Sequence, residues 1–284
     1  TTIPVLSMLD FNLAGRYDDY NDFGTTVNPK VSASFRPLDS QLVRGSWCEG
    51  FRAPSMSELY SGAAQSFDNR IDSRACANDG LGNPTTGRLQ DGINEDDVPT
   101  GNPCLSTLYQ NFQGGNRDLD AETSTCWNVG LVWNPLDDLS IALDYYNIEL
   151  EDESIAPDSQ LLFNQEFALR QEGATGATVG AVTRDLRTNF VQVADQRLTT
   201  IGARETDGLD LEAIYGFSAG GVGDFRAHLL WTHVLEYERD YGDGEGLRGL
   251  LGDFDPDNRA SLSLGWTRGD FSANATVNYM DEAD

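Results

Sequence analysis

The feature that most constrains this chain is the alternation of apolar and polar residues along nine segments, which is the pattern of β-strands with two different faces. In the last segment, Phe271, Val277 and Tyr279 alternate with Ser272 and Asn278. The nine segments are 5–17, 31–37, 41–51, 121–134, 139–150, 201–217, 225–238, 260–267 and 271–279. We therefore predict an all-β fold.

The connections between these segments alternate between short and long. The short connections are 38–40, 135–138, 218–224 and 268–270, and the long ones are 18–30, 51–121, 151–200 and 239–259. A soluble β-sandwich would also alternate apolar and polar residues, but it has no reason to sort its loops by length. We therefore predict an antiparallel up-and-down transmembrane β-barrel segment with short periplasmic turns and long extracellular loops. A helix is expected in the third long loop, capped by Asp158 or Ser159.

Charge and hydropathy argue against a nucleic-acid-binding protein and against a helical membrane protein. The chain carries 46 acidic against 19 basic residues and a net charge of −27, so a nucleic-acid-binding surface of clustered Lys and Arg is not expected. No run of about eighteen apolar residues is present, which excludes a transmembrane helix.

Two motifs typical of enzymes are better explained as turns or loops. Gly216–Gly220 fits the nucleophile-elbow pattern of serine hydrolases, but it joins two alternating segments and is better explained as a hairpin turn. Gly244–Gly249 fits a dinucleotide-binding pattern, but acidic residues surround it and no helix follows. The two histidines, His228 and His233, lie on opposite faces of one predicted strand. No metal site or catalytic triad can be built from them with a carboxylate at a recognisable spacing. We predict that the protein is not an enzyme.

Two acidic segments leave weak calcium binding open. Asp253–Asn258 begins like a calcium-binding loop but lacks its central glycine and distal glutamate, and Asp91–Asp97 is a second acidic run. A solvated loop is the alternative for both. We expect no other metal or cofactor.

Several motifs, in order along the chain, resemble TonB-dependent outer-membrane receptors. Gly50-Phe51-Arg52-Ala53-Pro54-Ser55 is similar to a signature that ends a strand of their barrel. Gly115–Ser124 resembles the strand entry Gly-Asn-x-x-Leu-x-x-Glu-x-Ser of that family, and Leu139–Ile148 its following strand. Glu205–Asp210 resembles its Glu-Thr-x-Gly-Leu-Asp segment.

This resemblance implies a barrel of about 22 strands with a plugged lumen. We accordingly expect residues 1–284 to be part of a barrel domain within a longer polypeptide, without the plug domain and the final strands. The implied function is active uptake of a ferric siderophore, corrinoid, oligosaccharide or peptide across the bacterial outer membrane. The implied partners are outer-membrane lipid, the protein's own plug domain, the TonB energy-coupling complex and the nutrient. A passive porin without a plug and a surface adhesin or binding module are the alternatives.

Parity and loop position give candidate site residues. On the predicted inner face, the residues expected to meet the plug are Arg44, Asp144, Asp210, Glu212, Arg226 and Glu236. In the longest loop, the candidates for ligand contact are Phe67, Arg70, Arg74, Tyr109 and Phe112, with solvated or packing roles as the alternative. The acidity of the loops disfavours a strongly anionic ligand.

The four cysteines allow three pairings. Cys76 and Cys104 lie in the same long loop, where a disulfide would close a sub-loop. Cys48 and Cys126 lie on segments expected to be neighbours, at similar heights above their short turns and with side chains on the same face. We predict the disulfides Cys76–Cys104 and Cys48–Cys126; free buried thiols are the alternative for the second pair.

Overall fold

The structure is a computed structural model that describes residues 8–21, 24–242, 246–251 and 255–282. Its strands are β1 (Leu9–Tyr20), β2 (Gly24–Leu38), β3 (Gln41–Arg52), β4 (Ala64–Arg70), β5 (Thr107–Gln113), β6 (Glu122–Leu136), β7 (Leu139–Ile155), β8 (Thr178–Val179), β9 (Val182–Arg184), β10 (Val191–Asp195), β11 (Thr199–Ser218), β12 (Asp224–Asp240), β13 (Arg248–Gly249), β14 (Asn258–Arg268) and β15 (Phe271–Met280). Its helices are α1 (Met56–Tyr60), α2 (Ser73–Ala77) and α3 (Ser159–Gln171), with 3-10 turns at Glu95–Asp97 and Gly220–Val222. Within the described residues, no helix combines the length and apolar character needed to span a bilayer.

The larger sheet is an antiparallel meander. Its strands follow the order β1-β2-β3-β6-β7-β11-β12-β14-β15, and the short β13 pairs with β12. The nine strands on this path correspond to the nine predicted segments, so the prediction of an up-and-down antiparallel architecture is confirmed. The sheet is open, because β1 and β15 each pair on one side within the described part of the chain.

The prediction of a long loop at 18–30 is wrong. β1 extends to Tyr20 and β2 begins at Gly24, and the two strands pair in register from Leu9↔Phe35 to Tyr20↔Gly24. Both faces of this extension are polar, so the period-two signal fades where the strands continue. Pro29 is tolerated because the pairing of β2 with β3 begins only at Lys30, which leaves the proline on an open edge.

The meander has one apolar and one polar face. Trp127 packs against Tyr145 on the apolar face, with ring centroids 5.1 Å apart. On the polar face, the Thr232 hydroxyl donates to Asp210 at 2.6 Å, and Glu212 lies 2.8 Å from His228. A cavity of about 610 Å³ runs along the polar face over six strands, from β1 to β11, which identifies this face as the concave one.

A β-bulge in β12 reverses the alternation near its end. Asp207 pairs with Glu236 and Gly208 with Val234, which leaves Leu235 as the extra residue. Glu236 therefore lies opposite Asp207, whose carboxylate accepts a hydrogen bond from Tyr145 on the apolar side. The assignment of Glu236 to the inner face is thus wrong, because simple parity counting passes over the bulge.

Candidate functional site

Two long connections fold together into one unit above the meander, which we call the cap (residues 53–121 and 156–198). Its five-stranded sheet has the order β4-β5-β10-β9-β8. Strands β4 and β5 come from the first connection and β8 to β10 from the second, and they are joined by parallel pairing of β5 with β10. Residues 51–121 therefore do not fold as a separate unit, because that segment shares its sheet with the second connection.

Helix α3 covers one face of the cap sheet. It begins at the N-cap Asp158, whose carboxylate accepts from the Gln160 amide at 2.7 Å, as predicted from the sequence. Leu162 and Phe163 of α3 are buried against Val182 and Ala194. This small apolar core holds the two connections together.

A buried ion cluster reinforces the junction between the connections. Arg184 on β9 is almost fully buried and donates to Asp72 at 2.7 and 2.8 Å and to Glu166 at 2.8 and 2.9 Å. Burial lowers the pKa of the Arg184 side chain, but hydrogen bonds to both carboxylates outweigh it and the pKa is raised. Asp72 also caps α2, and Glu166 pairs with Arg170 of its own helix. The sequence offered no signal for this cluster, because its members are far apart in the chain.

A second junction joins the cap to the rim of the meander. Arg52 donates through Nε to Glu122 at 2.7 Å and through its terminal nitrogens to Glu58 at 3.0 and 3.1 Å. Ser55 and Glu58 form a capping box at the start of α1. The hydrogen bonds from Arg52, followed by those from Ser55, lower the pKa of Glu58 to about 2. Two of the motifs that resemble the receptor family thus meet here, one through Arg52 and the other through Glu122.

Tyr241 and Arg248, in the described part of the remaining long connection 241–257, line a cavity of about 950 Å³ next to the cap, which we call the basic cavity. Its charged lining consists of Arg70, Arg88, Arg239, Arg248, Asp68 and Asp158. Among the described lining residues four arginines outnumber two aspartates, and Arg239 is in addition paired with Glu153. All three long connections contribute to its wall.

Tyr241 organises one side of the basic cavity. The guanidinium carbons of Arg239 and Arg248 each lie 5.1 Å from the centroid of its ring, within the range of cation–π attraction. Glu153 fixes Arg239 further by accepting from its Nε and Nη2, both at 3.1 Å. Arg70 is held by Asp158 at 2.9 Å.

The structure separates the five ligand-contact candidates. Arg70 lines the basic cavity. Phe67 and Phe112 are exposed on the sheet face that α3 leaves uncovered. Tyr109 packs on Phe163 with centroids 5.0 Å apart, and burial raises its pKa to about 12, so it belongs to the cap core.

The fifth candidate, Arg74, takes part in a contact inside the cap. Its Nη1 donates to the Asn189 side chain at 2.6 Å. Burial, together with the nearby Arg170 and Arg184, lowers the pKa of Arg74. Sequence reasoning missed Arg88, Arg239, Tyr241 and Arg248 as lining residues. Their only signal was the presence of basic residues in loops that are otherwise acidic.

The predicted inner-face residues other than Glu236 lie on the concave face. Arg44 on β3 reaches Asp144 on β7 with two hydrogen bonds of 2.9 and 2.6 Å. Between them lies Gly130 of β6, where a Cβ atom would come within 1.9 Å of the Asp144 carboxylate. Glycine at this position therefore lets the ion pair cross the middle strand. Arg226 lines another cavity of the concave face, near the short turns.

Both disulfide predictions are confirmed. Cys48 and Cys126 are directly opposed in the β3–β6 register, with Cα atoms 5.2 Å apart. Cys76 and Cys104 close a sub-loop of the cap, with Cα atoms 4.5 Å apart.

Weak calcium binding by the acidic loops stays a prediction. Among the described residues, no group of three or more His, Cys, Asp or Glu side chains is arranged to hold a metal ion. Asp91–Asp97 contains a 3-10 turn capped by Asn94. Residues 244–245 of the glycine-rich segment and 253–254 of the other acidic segment lie outside the described residues. Gly216–Gly220 enters the β11–β12 hairpin, as predicted.

The sequence matches the profile of the family described as TonB dependent receptor-like, beta-barrel, over residues 1–284. No curated protein matches it. Its fold is similar to that of the siderophore receptor PirA from Acinetobacter baumannii, with 15% identity, a TM-score of 0.58, and coverage of 94% of this chain and 30% of the other.

Two further solved structures show the same likeness. A variant of the ferric enterobactin receptor PfeA from Pseudomonas aeruginosa has 15% identity and a TM-score of 0.60, with 96% of this chain and 30% of the other covered. The outer membrane transporter YddB from Escherichia coli has 9% identity and a TM-score of 0.52, with 92% and 29% covered. The chain thus spans less than a third of the length of these proteins.

Proposed function

Because this chain belongs to the TonB-dependent receptor family, we propose that the intact protein is an outer-membrane receptor that takes up a nutrient with energy delivered through TonB. One observation carries the proposal. Within the described parts of the chain, three long connections contribute residues to one cavity at one end of the meander, whereas the connections at the other end are short turns. This difference between the two ends of the sheet suits a barrel that binds its ligand on one side of a membrane.

The concave polar face supports the same proposal. Its ion pairs and hydroxyl groups are spread over neighbouring strands, as expected for a lumen filled by a polar plug domain rather than by lipid. We propose that the plug and the segment that contacts TonB belong to the part of the intact protein outside residues 1–284.

For the nutrient, we propose a ferric siderophore. The similar structures include siderophore receptors, one of them a PfeA variant in complex with enterobactin. The basic cavity offers a place for such a ligand, because its volume lies at the upper end of the range of about 300–1,000 Å³ typical of small-molecule sites.

Growth under iron limitation tests the proposal. A strain that lacks the gene is supplied with single siderophores as the iron source, with and without the intact gene restored. We expect restored growth on at least one siderophore, and only when TonB is present. Growth that survives the loss of TonB would instead indicate a passive pore, and growth that never depends on the gene would favour an adhesin or binding module.

A further inference from the structure

Carboxylates lie side by side on three neighbouring strands, on the same side of the meander as its apolar face. Glu149, Glu205 and Glu238 are directly opposed across β7, β11 and β12, and Asp207 and Glu236 are opposed two residues nearer the short turns. We call these five residues the carboxylate ladder. Like charges directly opposite each other on neighbouring strands destabilise a sheet. The ladder is therefore a place where a bound cation would stabilise the fold.

The arginines at this height do not neutralise the ladder, because they lie on the other side of the sheet. Arg204 and Arg239 both pair with Glu153 there. His233 lies one row below the ladder, and its ring stacks on that of Trp231. Within the described residues, no arginine or lysine forms an ion pair with a member of the ladder.

Two buried oxygen atoms within the ladder have no hydrogen-bond donor. Asn147 lies directly opposite Asp207, is only 8% exposed, and has its Nδ2 3.5 Å from Oε1 of Glu205. Its Oδ1 and the Oδ1 of Asp207 are both buried and have no hydrogen-bond partner among the described residues. Buried polar atoms are normally satisfied, and carboxylate neighbours can only accept. Amide and carboxylate oxygens are ligands of hard divalent cations, so this arrangement points to such an ion.

The ladder lies where the apolar face of the meander ends. Trp127 is directly opposite Asn147, and Tyr145 lies two residues nearer the short turns, followed by Leu143 and its partner Leu211. Trp and Tyr side chains of membrane proteins concentrate at the level of the lipid headgroups. An outer-membrane barrel with its long connections outside would thus hold the ladder beside the headgroups of the outer leaflet.

The ladder does not complete a metal site by itself. Among the described residues, no three acidic, histidine or cysteine side chains converge on one point, whereas calcium takes about six to eight oxygen ligands. The missing ligands must come from outside the protein, and phosphate oxygens of the neighbouring lipid are at the right level. We propose that the carboxylate ladder and Asn147 bind divalent cations that they share with phosphate groups of outer-leaflet lipid. This inference rests on the membrane placement in the proposed function and adds a second ligand site to it.

The test measures how much lipid A, which carries phosphate groups, stays bound to the intact receptor in detergent micelles. Native mass spectrometry counts bound lipid with calcium or with EDTA, and dephosphorylated lipid A is the second probe. One variant combines Asp207→Asn with Glu236→Gln, and another, Asn147→Leu, removes the unpaired oxygen without changing charge. Asp120→Asn combined with Glu172→Gln, at two exposed carboxylates of the cap, is the charge-matched control.

We expect the native receptor to retain lipid A with calcium and to lose it in EDTA, and we expect no retention of the dephosphorylated lipid. Each ladder variant should retain about tenfold less lipid A, because calcium affinity depends on the number and charge of its ligands. The control should behave like the native receptor. The double variant removes repulsion between strands, so heat-modifiability in EDTA should show a barrel at least as stable as the native one.

Retention of lipid A that survives EDTA would overturn the inference, as would unchanged retention in both ladder variants or no retention by the native receptor. Growth on a siderophore tests the proposed function separately. TonB-dependent growth without calcium-dependent retention of lipid would refute only the cation site. Calcium-dependent retention without any TonB-dependent growth would refute only the uptake function.

Discussion

Arg184 illustrates how single residues hold this molecule together. It comes from the second long connection and pairs with Asp72 of the first and with Glu166 of α3, all three being buried. Its removal would leave two carboxylates close together without their shared cation. The cluster therefore ties the two connections to each other more specifically than the small apolar core can.

We expect Arg184→Met to destabilise the cap by about 3–5 kcal/mol, the usual cost of breaking a buried ion pair from one side. Hydrogen exchange across residues 159–195 should accelerate, while the strands of the meander keep their protection. Arg187→Met, at an exposed arginine of the neighbouring turn, is the matched control. Equal exchange in the two variants would contradict the role given to Arg184.

Glu58 makes the stability of the junction between the cap and the meander depend on pH. Its pKa falls from 4.5 to about 2 in the folded protein, chiefly through hydrogen bonds from Arg52. A depressed carboxyl pKa stabilises the folded state fully above the unfolded value, and this contribution disappears as the pH falls through the folded value. Hydrogen exchange in α1, corrected for its intrinsic rate, should therefore increase as the pH falls from about 4.5 to 2.

The variant Glu58→Gln provides the comparison for this titration. It should exchange faster than the native protein at neutral pH and show little further change across the acidic window. A native protein whose α1 exchange is flat across that window would show that the contact with Arg52 contributes nothing to anchoring.

At the scale of strands, the two faces of the meander differ in what they tolerate. Leu229 shares the apolar face with its β14 partner Leu262, whereas Thr232 donates to Asp210 on the concave face. We expect Leu229→Arg to impair barrel assembly by about 2–4 kcal/mol if it lies near the bilayer midplane. Thr232→Arg should be milder because Asp210 can pair with the new cation. Heat-modifiability on gels measures both, and the reverse order would contradict the face assignment.

The strand scale is also where the sequence was most informative. Period-two alternation located the nine strands of the meander, and the strand register was accurate enough to pair Cys48 with Cys126. The alternation gives no information where the two faces of a strand do not differ in polarity or where a bulge breaks the period. The paired ends of β1 and β2 within 18–30 are polar on both faces, and the bulge at Leu235 shifts Glu236 by one position without changing composition.

The cap lay beyond such reasoning for a different reason. Its strands are short, and β8 has only two residues, so no alternation develops. Its central pairing, β5 with β10, joins Asn111 to Ala194, and the pair formed by Arg184 and Asp72 joins residues 112 positions apart in the chain. The ligand-contact candidates were therefore chosen by residue type alone, and only Arg70 among them lines the basic cavity.

At the scale of the whole molecule, we expect the two connections of the cap to fold and unfold together. Deletion of 65–111 removes most of β4 and β5 together with Asp72, so β10 loses its parallel partner and Arg184 loses a carboxylate. We expect residues 159–195 to become sensitive to protease and ligand affinity to be lost, while the barrel still inserts. Deletion of 220–222, at the opposite end of the sheet, should leave cap protection unchanged. A second connection that stays resistant to protease after the larger deletion would contradict this expectation.

The parallel pairing of β5 with β10 also determines how specificity can be transferred between receptors. A graft that moves only residues 53–121 to another barrel would carry half a sheet and half an ion cluster, and it would misfold in its new host. Under the proposed function, the segments to exchange are instead a pair of insertions separated by the β6–β7 hairpin. Engineers who exchange them, and recombination between genes, must transplant both together with the intervening strands β6 and β7.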